Sequence, residues 1–333
     1  MPQETSRIVR IHEFGGPQVL RIEETVVPPP GPDQVRLSIR AIGLNRTELT
    51  LRSGRSPAKP ALPTSLGFEA AGVIQEVGSS VSGWRIGDRV ALVPAYSAAE
   101  YALYSELALV PARSLVAVPE SQSFEQAAAT WAAFGTAWAG LVATGNLQAG
   151  QTVLITAASS SVGLAAIQIA RRIGALPIAL TRTSSKVEAL VAHGASEVIT
   201  TSEGDVSEKI MDVTHGKGAH LVLDAVGGPG TAKLLQATTT GGLLLLYGGL
   251  SPEPTVVAPF QIFARNLTIR GFALPAIARE DHQLAALKSF VLEGLAEGMF
   301  TSVIDRTFSF EQIQEAHRFL ESGAQFGKVV ITV

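Results

Sequence analysis

The sequence predicts a two-domain α/β protein, in which an antiparallel β domain is followed by a doubly wound parallel sheet. Its 333 residues are enough for about two domains of ordinary size. Up to residue 122, short apolar runs are separated by Gly, Pro and Ser turns, which is typical of a small antiparallel barrel or sandwich. From residue 123, apolar runs alternate with helical segments, which is typical of parallel strands covered by helices on both faces.

The composition is that of a folded protein without a strongly charged surface. Hydrophobic residues make up 46% and charged residues 17% of the chain, and the net charge is only −3. We therefore expect a small-molecule partner, and neither nucleic acid nor a membrane. The amino terminus, MPQETSRIVRIHEFGG, lacks the apolar region of a secretory signal, so we expect a cytoplasmic protein.

The sequence contains no cysteine, which excludes disulfides, thiolate catalysis and every sulfur-ligated metal site. The six histidines are scattered, and none forms an H-x-x-x-H pair; they lie at positions 12, 193, 215, 220, 282 and 317. We therefore expect no metal.

Within the first domain, the clearest strand is DQVRLSIRAIGLN. Val35, Leu37 and Ile39 alternate there with polar neighbours, which is the period of a strand with one buried face. Further strands are predicted at AAGVIQEVG, GDRVALV and SELALVPARSLVAVP.

The uncharged run AAATWAAFGTAWAGLVATG, from Ala127, approaches the length of a membrane span. Because it is built of Ala, Gly and Thr, we interpret it as a helix packed between the domains.

The second domain alternates strands with helices. The predicted strands are VLITA, PIALT, EVITT, HLVLDAV, GLLLLYGG and LTIRGFAL, and helices are predicted at SSKVEALVAHG, DVSEKIMDVTHG and HQLAALKSFVLEGLAEG. A capping-box pattern from Ser309 to Gln312 predicts one more helix. We expect the last strand, GKVVITV, to return to the first domain.

A nucleotide-binding loop is predicted within QTVLITAASSSVGLAAIQIARRIGA. The dinucleotide fingerprint G-x-G-x-x-G aligns here as Ala158, Ser160 and Gly163, so only the third glycine is present. Ala and Ser are small enough for main-chain amides and the positive helix end to approach a pyrophosphate, and serine hydroxyls can add hydrogen bonds. A plain strand-turn-helix in an α/β core is the alternative.

The end of the next strand indicates which nucleotide binds. NAD enzymes usually carry an acidic residue there, whereas this chain has Thr181, Arg182, Thr183, Ser184 and Lys186. A carboxylate would repel a 2′-phosphate, but these side chains would bind it. Charge-assisted contacts of about 1.5 to 3 kcal/mol each predict a preference for NADPH of roughly tenfold or more. The alternative is a solvated Arg and Lys at a helix start.

From about Val35 to Val333 the chain resembles the medium-chain dehydrogenase/reductase superfamily, and most closely its zinc-free quinone oxidoreductase-like branch. The matching stretches follow the family order: GLNRTELTLRSG, LGFEAAGVIQEVG, RIGDRV, FGTAW, AASSSVGLAAIQIA, VLDAVGG and GKVVITV. The resemblance implies a GroES-like β-barrel catalytic domain of residues 1–122 and 275–333. It also implies a Rossmann NADPH-binding domain of residues 123–274, with the active site between the two.

The resemblance further implies which residues bind the cofactor. Asn45 looks like the asparagine that meets the nicotinamide ribose, and Thr136 like the threonine beside the nicotinamide. Both are expected to act in catalysis by positioning, although Asn45 could be a turn former and Thr136 an ordinary helix residue. Arg182 and Lys186 match the family positions that bind the 2′-phosphate. The implied set is completed by Ser159, Ser160, Ser161, Val162, Gly227, Gly248, Phe272 and Lys328.

Zinc-dependent relatives place Cys at the position of Asn45 and His in a G-H-E run. This chain reads Gly67, Phe68 and Glu69 in that run, and phenylalanine has no lone pair to give a metal. Catalytic zinc is therefore not expected. We interpret Glu69 as an internal hydrogen-bond or ion-pair partner.

The resemblance implies hydride transfer from NADPH to a quinone or an α,β-unsaturated carbonyl compound, with catalysis by positioning. No proton donor is assigned. Thr50 stands where relatives often carry a tyrosine, and Tyr96, Tyr101 and Tyr104 could equally be packing residues. A non-catalytic NADPH-binding protein is the alternative.

We also expect a homodimer in which GLLLLYGG extends the sheet across a two-fold axis, as family members often do. The same leucines could instead fill a monomer core.

Overall fold

The computed structural model describes residues 4–56, 59–96 and 100–333, and it divides into two compact units. Unit 1 comprises Met1–Ala132 and Ser302–Val333, and unit 2 comprises Ala133–Thr301. The predicted domain boundaries, after residue 122 and before residue 275, both lie earlier in the chain than the unit boundaries of the structure, which follow Ala132 and Thr301. Residues 275–301 group with unit 2 because their side chains pack there; Arg172, for example, pairs with Glu293 and Glu297.

The strands of the described chain are β1 (Glu4–Ile11), β2 (Arg21–Val27), β3 (Gln34–Gly43), β4 (Thr64–Ser65), β5 (Glu69–Val77), β6 (Arg89–Leu92), β7 (Leu107–Pro111), β8 (Leu115–Ala117), β9 (Thr152–Ile155), β10 (Leu176–Thr181), β11 (Glu197–Thr200), β12 (Ala219–Asp224), β13 (Thr238–Leu246), β14 (Thr268–Gly271), β15 (Ile304–Ser309) and β16 (Lys328–Thr332).

The helices of the same residues are α1 (Arg46–Arg52), α2 (Phe124–Ala128), α3 (Trp131–Trp138), α4 (Ser161–Ile173), α5 (Val187–Ala192), α6 (Val206–Val213), α7 (Gly230–Gln236), α8 (Pro259–Phe263), α9 (Leu274–Ala278), α10 (Asp281–Ala296) and α11 (Ile313–Ser322). Each predicted helix of the second domain is present, and the Ser309–Gln312 capping box precedes α11 as predicted.

Unit 1 contains the predicted GroES-like β domain. Its larger sheet has the order β15-β16-β3-β5-β6-β8, and β7 also pairs with β3. The terminal strand returns to this sheet as predicted, since β16 runs antiparallel to β3 with Val330 opposite Gly43. A smaller sheet has the order β2-β1-β4. Sequence periodicity did not indicate β2, because most of its residues are exposed on both faces.

Unit 2 contains the predicted doubly wound parallel sheet. Its order is β11-β10-β9-β12-β13-β14, and all its pairings are parallel. The strand order reverses between β9 and β12, so the loops that follow these two strands flank the topological switch point. GLLLLYGG does not extend the sheet across a two-fold axis, because β13 is paired with β12 and β14. Leu244 and Leu245 are buried instead, as the alternative of a core role predicted. The free edge on that side is β14.

Each unit has its own apolar core. In unit 1 the alternating side chains of β3, Val35, Leu37 and Ile39, are buried as predicted. In unit 2 the central strands contribute buried residues such as Leu154 and Val222. Both cores are made mostly of aliphatic side chains from strands, so the sheets hold the loops at their ends in fixed positions.

The long uncharged run after Ala127 forms α2, α3 and a π-helical turn over Ala139–Thr144. Its glycines allow close packing, since a Cβ on Gly140 would lie 2.7 Å from Leu223 and 2.8 Å from Phe272. Within residues 4–56, 59–96 and 100–333, none of the helices has the length and apolar character needed to cross a membrane.

Candidate functional site

The loop between β9 and α4 follows the first strand at the switch point, where nucleotides bind in doubly wound sheets. Ser160 is the N-cap of α4, and its hydroxyl accepts a hydrogen bond of 3.1 Å from the Gly163 amide. Ser161 and Val162 are the first two residues of the helix, and amides in a first turn have no intrahelical acceptor. The serine-rich loop therefore presents the positive end of a helix.

Gly163 is required by the packing of this loop on its own helix. A Cβ at this position would lie 2.5 Å from the carbonyl oxygen of Ala158 and 2.6 Å from its Cα. The glycine retained from the fingerprint therefore permits the close strand–helix approach that its third position serves. Ala158 and Ser160, in the other two positions, are accommodated because neither requires a left-handed backbone.

The predicted 2′-phosphate residues follow the adjacent strand, β10. Thr181 is buried at the end of the strand, while Arg182, Thr183 and Ser184 are exposed. The ammonium of Lys186 donates a hydrogen bond of 3.2 Å to the Ser159 hydroxyl. The structure therefore brings the basic segment and the serine loop together, although they are distant in the sequence.

A buried carboxylate, Asp224, organises the second loop at the switch point. One of its oxygens accepts hydrogen bonds from the Thr156 hydroxyl and from the amides of Val226 and Gly227, at 2.8–3.2 Å. Its other oxygen accepts from the Thr231 hydroxyl at 3.0 Å. Sequence reasoning quoted VLDAVGG but missed this role, for which the signal was an acid ending an otherwise apolar strand.

The predicted nicotinamide neighbours in unit 2 lie at or near strand ends. Gly248 follows β13, and a Cβ there would lie 2.5 Å from the carbonyl oxygen of Ala225. Phe272 follows β14, and its ring centre is 5.8 Å from that of Tyr247. The Tyr247 hydroxyl is buried and has no hydrogen-bond partner among the described residues. Thr136 lies half-buried in α3.

In unit 1 the structure places Asn45 in a polar cluster with Lys328 and Glu69. Lys328 donates a hydrogen bond of 2.7 Å to the Asn45 side-chain oxygen and forms an ion pair with Glu69. Glu69 also accepts a hydrogen bond of 2.8 Å from the amide of Ala132. The predicted internal role of Glu69 is confirmed. The Lys328 side chain is only 1% exposed, and its predicted cofactor contact stays a prediction.

Two buried carboxyl groups, those of Glu69 in this cluster and of Glu48 beside Asn45, have raised pKa values. Burial raises the pKa of Glu48 to about 8, although the Asn45 amide, the Lys328 charge and the Tyr104 hydroxyl act in the opposite direction. Glu48 accepts a hydrogen bond of 2.5 Å from the Asn45 amide, which completes the capping box of α1. Burial also raises the pKa of Glu69, against the attraction of Lys328.

Tyr104, His317 and Arg52 form a buried network of hydrogen bonds in the same unit. Arg52 can only donate, so its hydrogen bond of 2.9 Å fixes Nδ1 of His317 as an acceptor. The neutral imidazole then carries its proton on Nε2 and donates to the Tyr104 hydroxyl at 3.1 Å. Burial, with a smaller contribution from Arg52, lowers the pKa of His317 to about 3. Arg52 also forms an ion pair with Glu321.

Three of the hydroxyl groups considered as proton donors, those of Thr50, Tyr96 and Tyr104, are engaged inside unit 1. Thr50 donates a hydrogen bond of 3.2 Å to the carbonyl of Arg46, within α1. Tyr96 donates one of 3.3 Å to the carbonyl of Phe68. Burial raises the pKa values of both Tyr96 and Tyr104 well above their usual range. The described residues include no cluster of three or more His, Cys, Asp or Glu that could hold a metal ion.

Two family models match the chain. Residues 31–120 match the alcohol dehydrogenase GroES-like domain, and residues 161–290 match a model described as zinc-binding dehydrogenase. The first match falls in unit 1 and the second in unit 2.

Curated relatives and solved structures cover nearly the whole chain. Human quinone oxidoreductase is 32% identical over 333 residues, which is 99% of this chain and 98% of the relative. The crystal structure of Escherichia coli quinone oxidoreductase complexed with NADPH has a TM-score of 0.91 and 29% identity, and it covers 99% of this chain and 100% of its own. A crystal structure of an NAD-dependent alcohol dehydrogenase has a TM-score of 0.89 and 31% identity, covering 98% and 99%.

Proposed function

The chain belongs to the medium-chain dehydrogenase/reductase superfamily, in its quinone oxidoreductase-like branch, and on this premise we propose that it reduces a quinone or an α,β-unsaturated carbonyl compound with NADPH. One observation carries the proposal. Lys186 of the predicted 2′-phosphate segment contacts Ser159 of the loop that opens α4, so cationic and hydroxyl groups stand beside the positive end of a helix. Such a donor set fits a phosphorylated dinucleotide.

The preference for NADPH over NADH rests on the residues after β10. Arg182 and Lys186 supply positive charge, and Thr183 and Ser184 supply hydroxyl groups, with no carboxylate in the segment. A solvent-exposed arginine that meets a 2′-phosphate forms a charge-assisted contact, which the 2′-hydroxyl of NADH cannot provide.

When bound, NADPH supplies the hydride for the reaction. The chain binds and orients the two reactants, so that the hydride donor and the electron-poor carbon can approach to about 3 to 3.5 Å. We propose that the reaction uses no zinc. The positions at which zinc-dependent relatives carry Cys and His hold Asn45 and Phe68, and Phe68 cannot ligate a metal. The cytoplasmic location expected from the sequence stays a prediction.

A non-catalytic NADPH-binding protein is the second candidate. It is favoured by the side chains of Thr50, Tyr96 and Tyr104, whose hydroxyl groups are engaged by the protein itself. An enone reduction under the first proposal would therefore take its proton from water, whereas a quinone can be protonated after reduction without a protein acid.

Binding and turnover separate the two candidates. We expect the purified protein to enhance nicotinamide fluorescence when NADPH is added, and to consume NADPH when 9,10-phenanthrenequinone or a simple enone is supplied. Binding without consumption across such a panel would favour the non-catalytic candidate. Elemental analysis of the active protein should find no stoichiometric zinc, and stoichiometric zinc would contradict the metal-free mechanism.

Replacing Arg182 with Ala tests the choice of cofactor. We expect the KM for NADPH to rise about tenfold or more, and that for NADH to change little, because only NADPH carries the 2′-phosphate. Arg171→Ala removes an exposed arginine from the far end of α4 and is the matched control. Equal effects of Arg182→Ala on both cofactors would remove the 2′-phosphate assignment.

We propose that the homodimer expected from the sequence forms through the β14 edge, which replaces the earlier assignment to GLLLLYGG. Among the described residues no strand pairs with the outer side of β14, and a two-fold axis would let it pair with its own copy. Large apolar side chains are exposed in the same unit, in and before α8: Phe260 is 68% exposed, Phe263 63% and Val256 70%. A second copy would cover apolar surface that a monomer leaves in water.

Sedimentation velocity tests this interface. The wild type should sediment as a dimer, and Phe260→Glu with Phe263→Glu should sediment as a folded monomer, because buried charges would oppose the contact. Ile86→Glu changes another exposed apolar residue, in unit 1, and should remain dimeric. A double variant that stays dimeric would exclude this surface.

A further inference from the structure

A cleft of about 380 Å³ lies within unit 2, on one face of the edge strand β14. Side chains alternate along a strand, so Arg270 and Phe272 share this face, while Ile269 points the other way and packs on the core beside Leu244. Residues of α9, of the start of α10 and of the π-helical turn complete the walls. The volume is at the lower end of the roughly 300 to 1,000 Å³ that small-molecule sites occupy.

One wall of this cleft is apolar and fixed in position. The ring of Phe272 and the side chain of Ile277 line it, and both are half-buried. The ring centre of Phe272 is 5.8 Å from that of Tyr247, and a Cβ on Gly140 would lie 2.8 Å from the same ring. Because the ring is packed from behind, its other side offers an apolar surface to a ligand.

Two opposite charges line the same cleft without pairing. Arg270 is exposed on β14, and Glu280 is exposed directly before α10, where its side chain does not cap the helix. Among the residues that the structure describes, neither side chain forms a hydrogen bond or an ion pair, with the other or with a third group. The neighbouring His282 is engaged, since its Nε2 accepts a hydrogen bond of 3.1 Å from the Gln283 amide.

This charge distribution selects a ligand that carries both signs. An anion alone would be attracted by Arg270 and repelled by Glu280, and a cation alone would meet the reverse. A carboxylate matches the planar fork of a guanidinium, and an ammonium can donate to the glutamate. With an apolar group for the wall, these are the parts of an amino acid with a large apolar side chain.

We propose that this cleft binds a free amino acid with a large apolar side chain. Its carboxylate meets Arg270, its ammonium meets Glu280, and its side chain lies against Phe272 and Ile277. The cleft belongs to unit 2 alone, and two strands separate β14 from β9 and its nucleotide loop. Neither charged residue is among those assigned to the cofactor, so the proposal goes beyond the proposed function.

Three ligands that share a phenyl group separate the two charge contacts. L-phenylalanine carries both charges, 3-phenylpropionate lacks the ammonium, and phenethylamine lacks the carboxylate. In calorimetry on the full chain without cofactor, we expect a Kd of about 1 mM or lower for L-phenylalanine, and binding about tenfold weaker for the other two. If either of these binds as tightly as L-phenylalanine, one charge is unused, and the proposal is overturned.

Substitution of each charged residue should affect only the ligands that carry the matching group. Arg270→Gln should weaken L-phenylalanine and 3-phenylpropionate about tenfold and phenethylamine not at all. Glu280→Gln should weaken L-phenylalanine and phenethylamine, and not 3-phenylpropionate. Arg171→Gln and Glu253→Gln make the same chemical changes at exposed positions of unit 2 outside the cleft, and should change none of the three Kd values.

Ala276→Phe tests the place of binding. Ala276 is exposed in α9 and lines the cleft, so a phenyl group there should occupy the cleft without disturbing the core. We expect L-phenylalanine binding to be lost while the thermal midpoint is unchanged, and a Kd equal to that of the wild type would overturn the proposal.

The remaining outcomes also decide the question. Absence of L-phenylalanine binding at about 10 mM in the wild type, or a Kd that neither Arg270→Gln nor Glu280→Gln changes, would show that the two charges are only solvated, and would overturn the proposal. Since the assay contains no NADPH, its failure is distinct from a failure of the proposed function. A protein that binds L-phenylalanine in this way and does not bind NADPH would support this site and contradict the proposed function.

Discussion

At the scale of single residues, Ala157 has a backbone conformation that its residue type disfavours. Its φ is +47°, in the left-handed region, and it lies in the loop that opens α4. An L-residue with a Cβ costs roughly 1 to 2 kcal/mol there relative to its ordinary conformations. The loop therefore keeps a small but strained residue where glycine would be relaxed.

Ala157→Gly should raise the free energy of unfolding by about 0.5 to 1 kcal/mol, since relief of the left-handed strain exceeds the added freedom of glycine in the unfolded chain. Urea unfolding measures the change. The neighbouring substitution Ala158→Gly is the control, because Ala158 is buried and does not have a positive φ. It should lower stability, and an equal loss in Ala157→Gly would contradict the strain argument.

At the scale of elements, the pair formed by β9 and α4 depends on a close approach at Gly163. The strand ends at Ile155, the loop turns through Ala158, and the helix begins at Ser161. The Ser160 hydroxyl caps the helix by accepting a hydrogen bond from the amide of Gly163. Gly163 therefore provides both the close packing and the donor of the capping hydrogen bond. A change at this glycine moves the helix end that we assign to the pyrophosphate.

Gly163→Ala should lower the free energy of unfolding by about 1 to 3 kcal/mol, because the new Cβ meets main-chain atoms that cannot rotate away. It should also weaken NADPH binding, since α4 must shift away from Ala158. Gly230→Ala, at the start of α7, is the matched control, because a Cβ there meets nothing within 4 Å. If both variants unfold at the same urea concentration as the wild type, the close approach is not required.

At the scale of the whole molecule, unit 1 is joined by a buried polar network that connects distant parts of the chain. It runs from Tyr104 to His317 in α11 and then to Arg52 in α1. Glu48, also in α1, is buried and interacts electrostatically with Tyr104. Arg52 also donates a hydrogen bond of 3.1 Å to the carbonyl of Gly15. Since its members are buried, the network makes the stability of the unit depend on pH.

Glu48→Gln should change that dependence in a defined direction. The pKa of Glu48 is raised from 4.5 to about 8, so its contribution to stability is complete below pH 4.5 and is lost as the pH rises towards 8. Glutamine cannot lose a proton in this range. The free energy of unfolding of the variant, relative to the wild type, should therefore rise from pH 5 to pH 8.

Two comparisons make this pH prediction specific. The pKa of His317 is lowered from 6.5 to about 3, so its contribution is complete above pH 6.5 and is lost as the pH falls; it is present in both proteins and cancels in the difference. Glu253→Gln makes the same chemical change at an exposed residue. A constant difference between Glu48→Gln and the wild type across this range would contradict the buried-proton assignment.

Sequence and resemblance predicted much of the fold, and part of the candidate site. The apolar runs VLITA, PIALT and HLVLDAV are strands of one parallel sheet, as their uninterrupted apolar residues indicated. The serine loop opens a helix, and Lys186 does approach it. The role of Asp224 was missed although three of its four hydrogen-bond partners, Val226, Gly227 and Thr231, follow it closely in the sequence. The surroundings of Lys328 were not predicted, because they depend on Asn45 and Glu69, which are far away in the sequence.

What the sequence determined by itself is set by local chemistry: the period of the apolar residues, the small side chains of the loop, the lack of cysteine and the cluster of basic and hydroxyl residues after β10. The tertiary structure alone decided that β13 is an interior strand, that β14 is the edge, and that Lys328 is buried against Asn45 and Glu69. Periodicity reports which face of an element is buried, but not which element covers it. Lys328 and Asn45 are 283 positions apart, and only the pairing of β16 with β3 brings an ammonium and a carboxamide at that separation into contact.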